Sequence, residues 1–123
     1  MKTVDEVATP VGFTFDEFIE NCCRCMRLLI SAGAAIDQTN TDGFTALMYA
    51  CGWNIRLAET LIQAGANVKV CTNAMVSALF LAVERNKPDV VEMLLQRDTD
   101  IDAVYVVNGW TPLHYCYDRY LYW

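Results

Sequence analysis

The thiols and the single histidine are the residues of this sequence with the chemistry to bind a metal or attack a substrate. Cys22 and Cys25 are three residues apart, and Cys116 follows His114 by two. A zinc site takes about four such ligands at spacings such as C-x2-C, and no second cysteine pair stands near the first in sequence. Metal binding through Cys22 and Cys25 is therefore an alternative to packed thiols and a structural His114.

The cysteine count also bears on the redox state of the protein. Six cysteines in a small secreted domain would suggest a disulfide framework, but the acidic N-terminus is not followed by the apolar stretch of an export signal. Three of the six fall within residues 22–25 and cannot pair efficiently on a helix. We expect reduced thiols packed as small hydrophobic side chains in a cytoplasmic or nuclear protein that is not secreted. The cysteines are Cys22, Cys23, Cys25, Cys51, Cys71 and Cys116.

No catalytic arrangement can be built from these residue types. A Cys–His nucleophile needs a thiolate in an electropositive, partly exposed niche, whereas Cys116 is predicted to lie inside a helix. The sequence has no Gly-rich phosphate loop and no nucleophile elbow. Arg24, Arg27 and Arg56 fall on predicted helical faces, where a solvated surface is a simpler interpretation than a phosphate cluster. The sequence therefore predicts a protein without enzymatic activity or a cofactor.

Composition and charge narrow the choice of partner. Hydrophobic residues make up 54% of the 123 residues and charged residues 20%, which predicts one folded domain. The net charge of −6 argues against nucleic acid and anionic membranes, where Lys and Arg must neutralise phosphates. No segment reaches the roughly 18 apolar residues that span a bilayer. The partner expected of such a chain is another protein.

An internal repeat organises the sequence. Three similar segments recur with their starts 32 and then 33 residues apart, beginning at Leu29, Leu61 and Leu94. A second series, in the same phase and 32 and then 34 residues apart, begins at Thr45, Ser77 and Thr111. A unit of this length cannot bury its apolar face alone, so the repeat predicts units stacked into a solenoid.

Each unit has the pattern of two short helices. Pro88 suits the first turn of a helix, and Val90 and Leu94 supply an apolar stripe while Asp89 and Glu92 face out. Glycines stand where a left-handed C-cap follows the second helix, at Gly33 and Gly65. Polar residues follow a β-branched residue in each loop, a pattern that suits an extended strand and turn, at Ile36, Val68 and Ile101.

Three segments resemble the ankyrin repeat: Thr111-Pro112-Leu113-His114, residues 42–47 and residues 61–68. The resemblance implies an all-α ankyrin-repeat solenoid of helix-turn-helix units with β-hairpin-like loops. It covers about four units, the first degenerate and the last incomplete. After an N-terminal tail at 1–11, the domain occupies 12–123, with units at approximately 12–38, 39–71, 72–104 and 105–123.

The departures from the ankyrin pattern point to irregular places. Met48 and Phe80 stand where the family has its histidine, so those hydrogen bonds are predicted to be lost. Met75 occupies the position of the turn glycine and Asp98 that of the C-cap glycine, which predicts an irregular third loop. Residues 12–14 mimic residues 43–45, but one residue is missing before the first C-cap glycine.

The resemblance implies a non-catalytic protein-interaction module. In the family, the concave face formed by loop tips and first helices binds partners. Phe44, Trp53 and Trp110 stand where the scaffold needs no aromatic residue, and aromatic residues dominate interface energies. Alternatively, Trp53 fills the inter-helix turn and Trp110 packs on the C-terminal tail. The candidate partner-binding residues are Thr41, Asp42, Phe44, Trp53, Asn73, Ala74, Val76, Glu84, Arg85, Asn108, Trp110, Asp118 and Arg119.

The aromatic run of residues 115–123 leaves the C-terminal end open to several interpretations. The tail could cap the stack, mediate an end-to-end dimer, or mark a piece of a longer array. The alternatives to a concave-face binder are accordingly a structural or regulatory fragment of a longer ankyrin protein and a module that self-assembles through this end. We expect a monomer or a weak dimer.

Overall fold

The computed structural model describes residues 12, 14–97, 99–106 and 108–121, with side chains through Tyr117. The predicted tail 1–11, Asp98 and the last aromatic side chains lie outside the described residues. No described helix is long and apolar enough to cross a membrane. In this part of the chain the helices are α1 (Phe15–Ser31), α2 (Ala46–Cys51), α3 (Ile55–Gln63), α4 (Ala78–Glu84), α5 (Pro88–Leu95) and α6 (Pro112–Leu121).

The helices stack in two rows. The first row contains α2, α4 and α6, each packed on the next, and the second row contains α1, α3 and α5. Two cross-pairs, α2 with α3 and α4 with α5, join the rows into helix-turn-helix units. The core between the rows is apolar and includes Leu47, Leu61, Leu79 and Leu94. The predicted all-α solenoid is confirmed.

Short polar side chains begin most of these helices. Thr14, Thr45 and Ser77 each accept a hydrogen bond on the side-chain oxygen from the backbone N–H three residues on, at 3.1, 3.3 and 3.2 Å. Each such cap is worth about 1 kcal/mol because it satisfies a donor that the helix cannot. Pro88 begins α5, as its position in the repeat predicts.

The first unit is a single helix instead of the predicted helix pair. Thr14 caps α1 as Thr45 caps α2, yet α1 continues unbroken for 17 residues. In the second unit the chain turns at residues 52–54, where Gly52 ends one helix and Asn54 caps the next. In the first unit, Glu20 stands at the position of Gly52. Because glutamate is a good helix former, the helix continues through this position. As a result α1 lies in the second row.

Buried side chains and ion pairs hold α1 against α3. Ile19 and Cys23 are buried in the contact. The Arg56 guanidinium lies 2.8 Å from the Glu20 carboxylate and 3.9 Å from that of Asp16. Arg56, which the sequence predicts on a solvated helical face, is partly exposed and also joins α3 to α1 across two units. As partly exposed pairs these contacts contribute at most about 1 kcal/mol each.

The loops are turns, and the expected strands are absent from the described residues. Ile36, Val68 and Ile101 each lie in a tight turn, and the only described β-contact is an isolated antiparallel bridge between Cys71 and Ser77. Local hydrogen bonds favour the turns: the Asn67 side chain accepts from the backbone N–H of residue 69 at 2.9 Å. Side chains of this kind compete with strand pairing, which explains the error.

The third loop is strained at Met75. Its φ is +66°, in the left-handed region that the second loop fills with Gly43, at φ +88°. The Thr72 hydroxyl stabilises the loop by accepting from the backbone N–H groups of Ala74 and Val76, at 3.3 and 3.2 Å. A non-glycine residue in this conformation costs on the order of 1–3 kcal/mol.

Replacing Met75 with glycine is expected to raise the free energy of unfolding by about 1 kcal/mol. Glycine removes the strain of the left-handed conformation, and this gain exceeds the roughly 0.5–1 kcal/mol of extra backbone entropy that glycine loses on folding. Urea unfolding followed by circular dichroism measures the difference. Met75→Ala is the matched control, because it removes the side chain but keeps the strain. Equal stability of the two variants would contradict the assignment.

Candidate protein-binding surface

A groove of about 800 Å³ is lined by residues of α1, α2, α3 and α4 and of the turn between α2 and α3. Trp53 and Tyr49 are its most accessible aromatic side chains, 41% and 57% exposed respectively. Most of its surroundings are apolar, with charged side chains only at the end of α4. The residues that line the groove are Met26, Phe44, Ala46, Met48, Tyr49, Ala50, Gly52, Trp53, Leu57, Leu61, Leu81, Glu84 and Arg85.

Two aromatic side chains of the groove, Phe44 and Tyr49, are held in place by their neighbours. Tyr49 lies on the outward face of α2, where its hydroxyl accepts a hydrogen bond of 2.9 Å from the Asn40 side-chain amide. The Phe44 ring lies 5.5 Å from the Tyr49 ring, centroid to centroid. Trp53 follows one turn after Tyr49, in the turn that joins α2 to α3. This preorganisation lowers the entropy lost when a ligand orders the surface.

Charged residues stand at one edge of the groove. Glu84 ends α4 and Arg85 caps it, and both line the groove. The aliphatic part of the Arg85 side chain lies against the α2–α3 turn. Its Cγ is so close to Gly52 that a Cβ added at that glycine would be only 3.4 Å away. An apolar centre with a polar rim is the usual anatomy of a protein interface.

The groove contains four of the residues that the sequence singled out, namely Phe44, Trp53, Glu84 and Arg85. Trp110 is half-buried in another place, with its ring centroid 5.1 Å from that of Tyr115. Other candidates lie on loops outside the groove, half-buried at Ala74 and Val76 and exposed at Thr41, Asp42, Asn73 and Asn108. The side chains of Asp118 and Arg119 are outside the described residues.

Sequence reasoning missed Tyr49 and Leu81, which also line the groove. Both stand four residues after the cap of a first helix, Thr45 and Ser77 respectively. This shared position could have indicated the groove, since the fourth residue after the cap faces outward in both units.

An aromatic cluster joins the third unit to the fourth. Phe80, at the position of the family's histidine, has its ring centroid 4.4 Å from Tyr115 and 5.1 Å from Tyr105. His114 keeps its structural role, because its Nδ1 accepts a 3.0 Å hydrogen bond from the backbone N–H of Thr111 at the start of α6. Packing between rings thus replaces the lost hydrogen bond.

The cysteines are all free thiols, but only some are packed in the core. Cys23 and Cys51 are buried, and burial raises the pKa of the Cys51 thiol to about 12. Cys25, Cys71 and Cys116 are exposed, so the expectation of packed thiols is wrong for these three. Among the described residues, no three His, Cys, Asp or Glu side chains come together to hold a metal ion.

The two stacked rows and the apolar groove define a helical-repeat scaffold. A family model for ankyrin repeats, in three copies, matches residues 18–105 and 54–121. The chain therefore belongs to the ankyrin-repeat family. Ankyrin repeats are generally protein–protein interaction modules and typically non-enzymatic.

Curated relatives share this repeat architecture at modest identity. A putative ankyrin repeat protein, FPV222 of fowlpox virus, is 33% identical over an alignment that covers 92% of this chain and 19% of the relative. The mouse B-cell lymphoma 3 protein homolog is 31% identical over 72% of this chain and 21% of its own length. The ankyrin repeat protein nuc-2 of Neurospora crassa is 25% identical, with coverages of 77% and 9%. The chain thus spans at most about a fifth of these three proteins.

Proposed function

We propose that this chain binds a partner protein through the groove that contains Trp53 and Tyr49, as a non-catalytic interaction module. The observation that supports the proposal is the groove itself, an apolar channel of about 800 Å³ with accessible aromatic side chains. Water in contact with Trp53 and Tyr49 is released when a ligand covers them, and this release favours binding.

The partner segment that fits this groove has an apolar centre and a charged flank. Apolar side chains of the partner would pack between Trp53 and Leu81, both of which line the groove. A carboxylate of the partner would meet the exposed Arg85 at the edge. Guanidinium groups form strong paired hydrogen bonds with carboxylates, so Arg85 would fix the orientation of the segment.

Affinity capture with a charge-reversed rim tests the proposal. Three immobilised chains are compared: the unaltered full chain, the Arg85→Glu variant and the Arg97→Glu variant. Each is incubated with an extract of its source cells, and the captured proteins are quantified by mass spectrometry. Arg97 is the matched control, since it is exposed but lies outside the groove. We expect Arg85→Glu to reduce capture of a specific protein several-fold and Arg97→Glu to leave it unchanged. Equal capture by all three chains would contradict the proposal.

A further inference from the structure

The loop before α6 contains the only Asn-Gly pair of the sequence, Asn108 and Gly109. The backbone nitrogen of a residue can attack the side-chain amide of an asparagine that precedes it. The attack is least hindered when the attacking residue is glycine, because glycine has no side chain and the widest choice of backbone conformations. Both residues are exposed, so water and base reach them. Residue type and exposure therefore favour loss of the amide at Asn108 over loss at the other asparagines.

The reaction needs no reagent other than water. A bond forms between the Gly109 nitrogen and the Asn108 Cγ, the bond from Cγ to Nδ2 breaks, and ammonia leaves with the proton of the Gly109 amide. The product is a five-membered succinimide ring. Water that breaks the new bond leaves aspartate, whereas water that breaks the original peptide bond leaves isoaspartate, in which the backbone continues through Cγ. Either product carries a negative charge that asparagine lacks.

Hydrogen bonds hold the reacting groups in place in the folded chain. Asn108 Nδ2 donates to the Tyr115 hydroxyl at 2.9 Å, and Asn108 Oδ1 accepts from the backbone N–H of Trp110 at 3.0 Å. The attacking nitrogen is engaged as well, because the Gly109 N–H donates to the Tyr105 carbonyl oxygen at 2.8 Å. The Gly109 nitrogen must leave this partner, and the Asn108 amide must turn, before the two can react.

Tyr115 is a fixed partner for the Asn108 amide, because its ring packs against three others. The ring centroid lies 4.4 Å from that of Phe80, 5.1 Å from that of Trp110 and 6.1 Å from that of Tyr105. A hydroxyl on a ring packed in this way stays in one place, so the amide that bonds to it is held as well. Opening the loop requires this contact to break, at the cost of one hydrogen bond.

We propose that Asn108 is a site of spontaneous deamidation and that its hydrogen bond to Tyr115 controls the rate of conversion. In the folded chain the reaction proceeds only from the fraction of molecules in which this loop is open. Each bond that holds the loop reduces that fraction. Neither Asn108 nor Tyr115 lines the groove that contains Trp53 and Tyr49, so the inference does not depend on the proposed function.

The second unit already has the residue that deamidation would produce. The Asp-Gly pair at residues 42 and 43 occupies the repeat positions of Asn108 and Gly109, and both glycines adopt positive φ, +88° and +71° respectively. Conversion to aspartate at position 108 should therefore leave the loop folded. Isoaspartate differs, because it adds one carbon to the backbone inside the turn, and we expect it to loosen the aromatic cluster between the third and fourth units.

Mass spectrometry of the full chain during storage at mildly alkaline pH tests the proposal. The unaltered chain, Tyr115→Phe and Tyr105→Phe are digested at intervals, and each asparagine is followed by the mass gain that replaces NH2 with OH. We expect Asn108 to convert before any other asparagine. Tyr115→Phe should raise its rate about fivefold, the effect of losing a hydrogen bond worth ~1 kcal/mol. Tyr105→Phe is the matched control, since it removes a hydroxyl from the same cluster but not the one bonded to Asn108.

Other outcomes overturn the inference. Faster conversion at another asparagine, such as Asn73 or Asn86, would reject the site. Equal rates in Tyr115→Phe and Tyr105→Phe would reject control by the hydrogen bond. If Tyr115→Phe does not fold, the unaltered chain in guanidinium chloride provides a second measurement, because unfolding opens the loop in every molecule. Conversion at Asn108 should then be faster than in the folded chain, and equal rates in the two conditions would reject the control by folding.

Discussion

Replacing Trp53 with alanine is expected to weaken binding of the partner by about thirtyfold, or ~2 kcal/mol, the size of an interface hot spot. Trp53 is 41% exposed and lines the groove together with Tyr49 on α2 and Glu84 at the end of α4. Truncation removes a large rigid contact and leaves a gap that neither partner can fill. Isothermal titration calorimetry with the captured protein gives the dissociation constants of the two chains.

Two other aromatic residues serve as controls for Trp53. Tyr117→Ala removes an exposed ring of α6 outside the groove and should leave the dissociation constant unchanged. Trp110→Ala should lower stability instead of affinity, because the Trp110 ring packs on Tyr115 and lies 6.0 Å from the His114 ring. A variant series in which Trp110→Ala loses affinity and Trp53→Ala retains it would place the binding surface on the loops.

Leu47→Ala is expected to lower the free energy of unfolding by about 3 kcal/mol, within the 2–5 kcal/mol typical of buried leucines. Leu47 is only 1% exposed and belongs to the core that joins the two rows. The substitution removes buried methyl groups and leaves a cavity that the short helix α2 cannot close. Urea unfolding at low protein concentration measures the loss, which should shift the midpoint without changing the slope.

The sequence contains its own control for this effect. Leu113 occupies the same repeat position on α6 but is 80% exposed. Leu113→Ala should therefore change the free energy of unfolding by less than about 0.5 kcal/mol. A loss as large as that of Leu47→Ala would mean that the α6 face is covered in the isolated chain.

The fold was predictable where a local signal determines it. The period places the helices, the caps Thr45 and Ser77 mark where two of them begin, and the left-handed Gly65, with φ near +100°, follows the end of α3. The continuous helix α1 was not predicted. Its signal in the sequence is the presence of Glu20 at the position where Gly52 ends α2 in the second unit. The pairing of Arg56 with Glu20 joins residues 36 apart and depends on how two units stack. Local sequence patterns cannot predict a contact between residues so far apart in the sequence.

The groove was predictable only in part, for a related physical reason. Phe44 and Trp53 stood out because the scaffold does not need aromatic residues at their positions, and both line the groove. Trp110 met the same criterion but packs on the side chains of its own unit. Exposure at Cys25 and Cys116 depends on which neighbouring helix is present, since the same repeat positions are buried in complete units. Residue type alone does not decide such cases.

The two-row packing also has a consequence for how fast the chain folds. The helices that pack most extensively are adjacent in the chain or separated by a single helix, as with α1 and α3 or α4 and α6. Contacts of such short sequence separation require little loop closure before they form, and chains with this topology fold in microseconds to milliseconds. Because a unit needs a neighbour to bury its apolar face, a nascent chain can fold once neighbouring units have left the ribosome and then add helix pairs in turn, without waiting for residues far downstream.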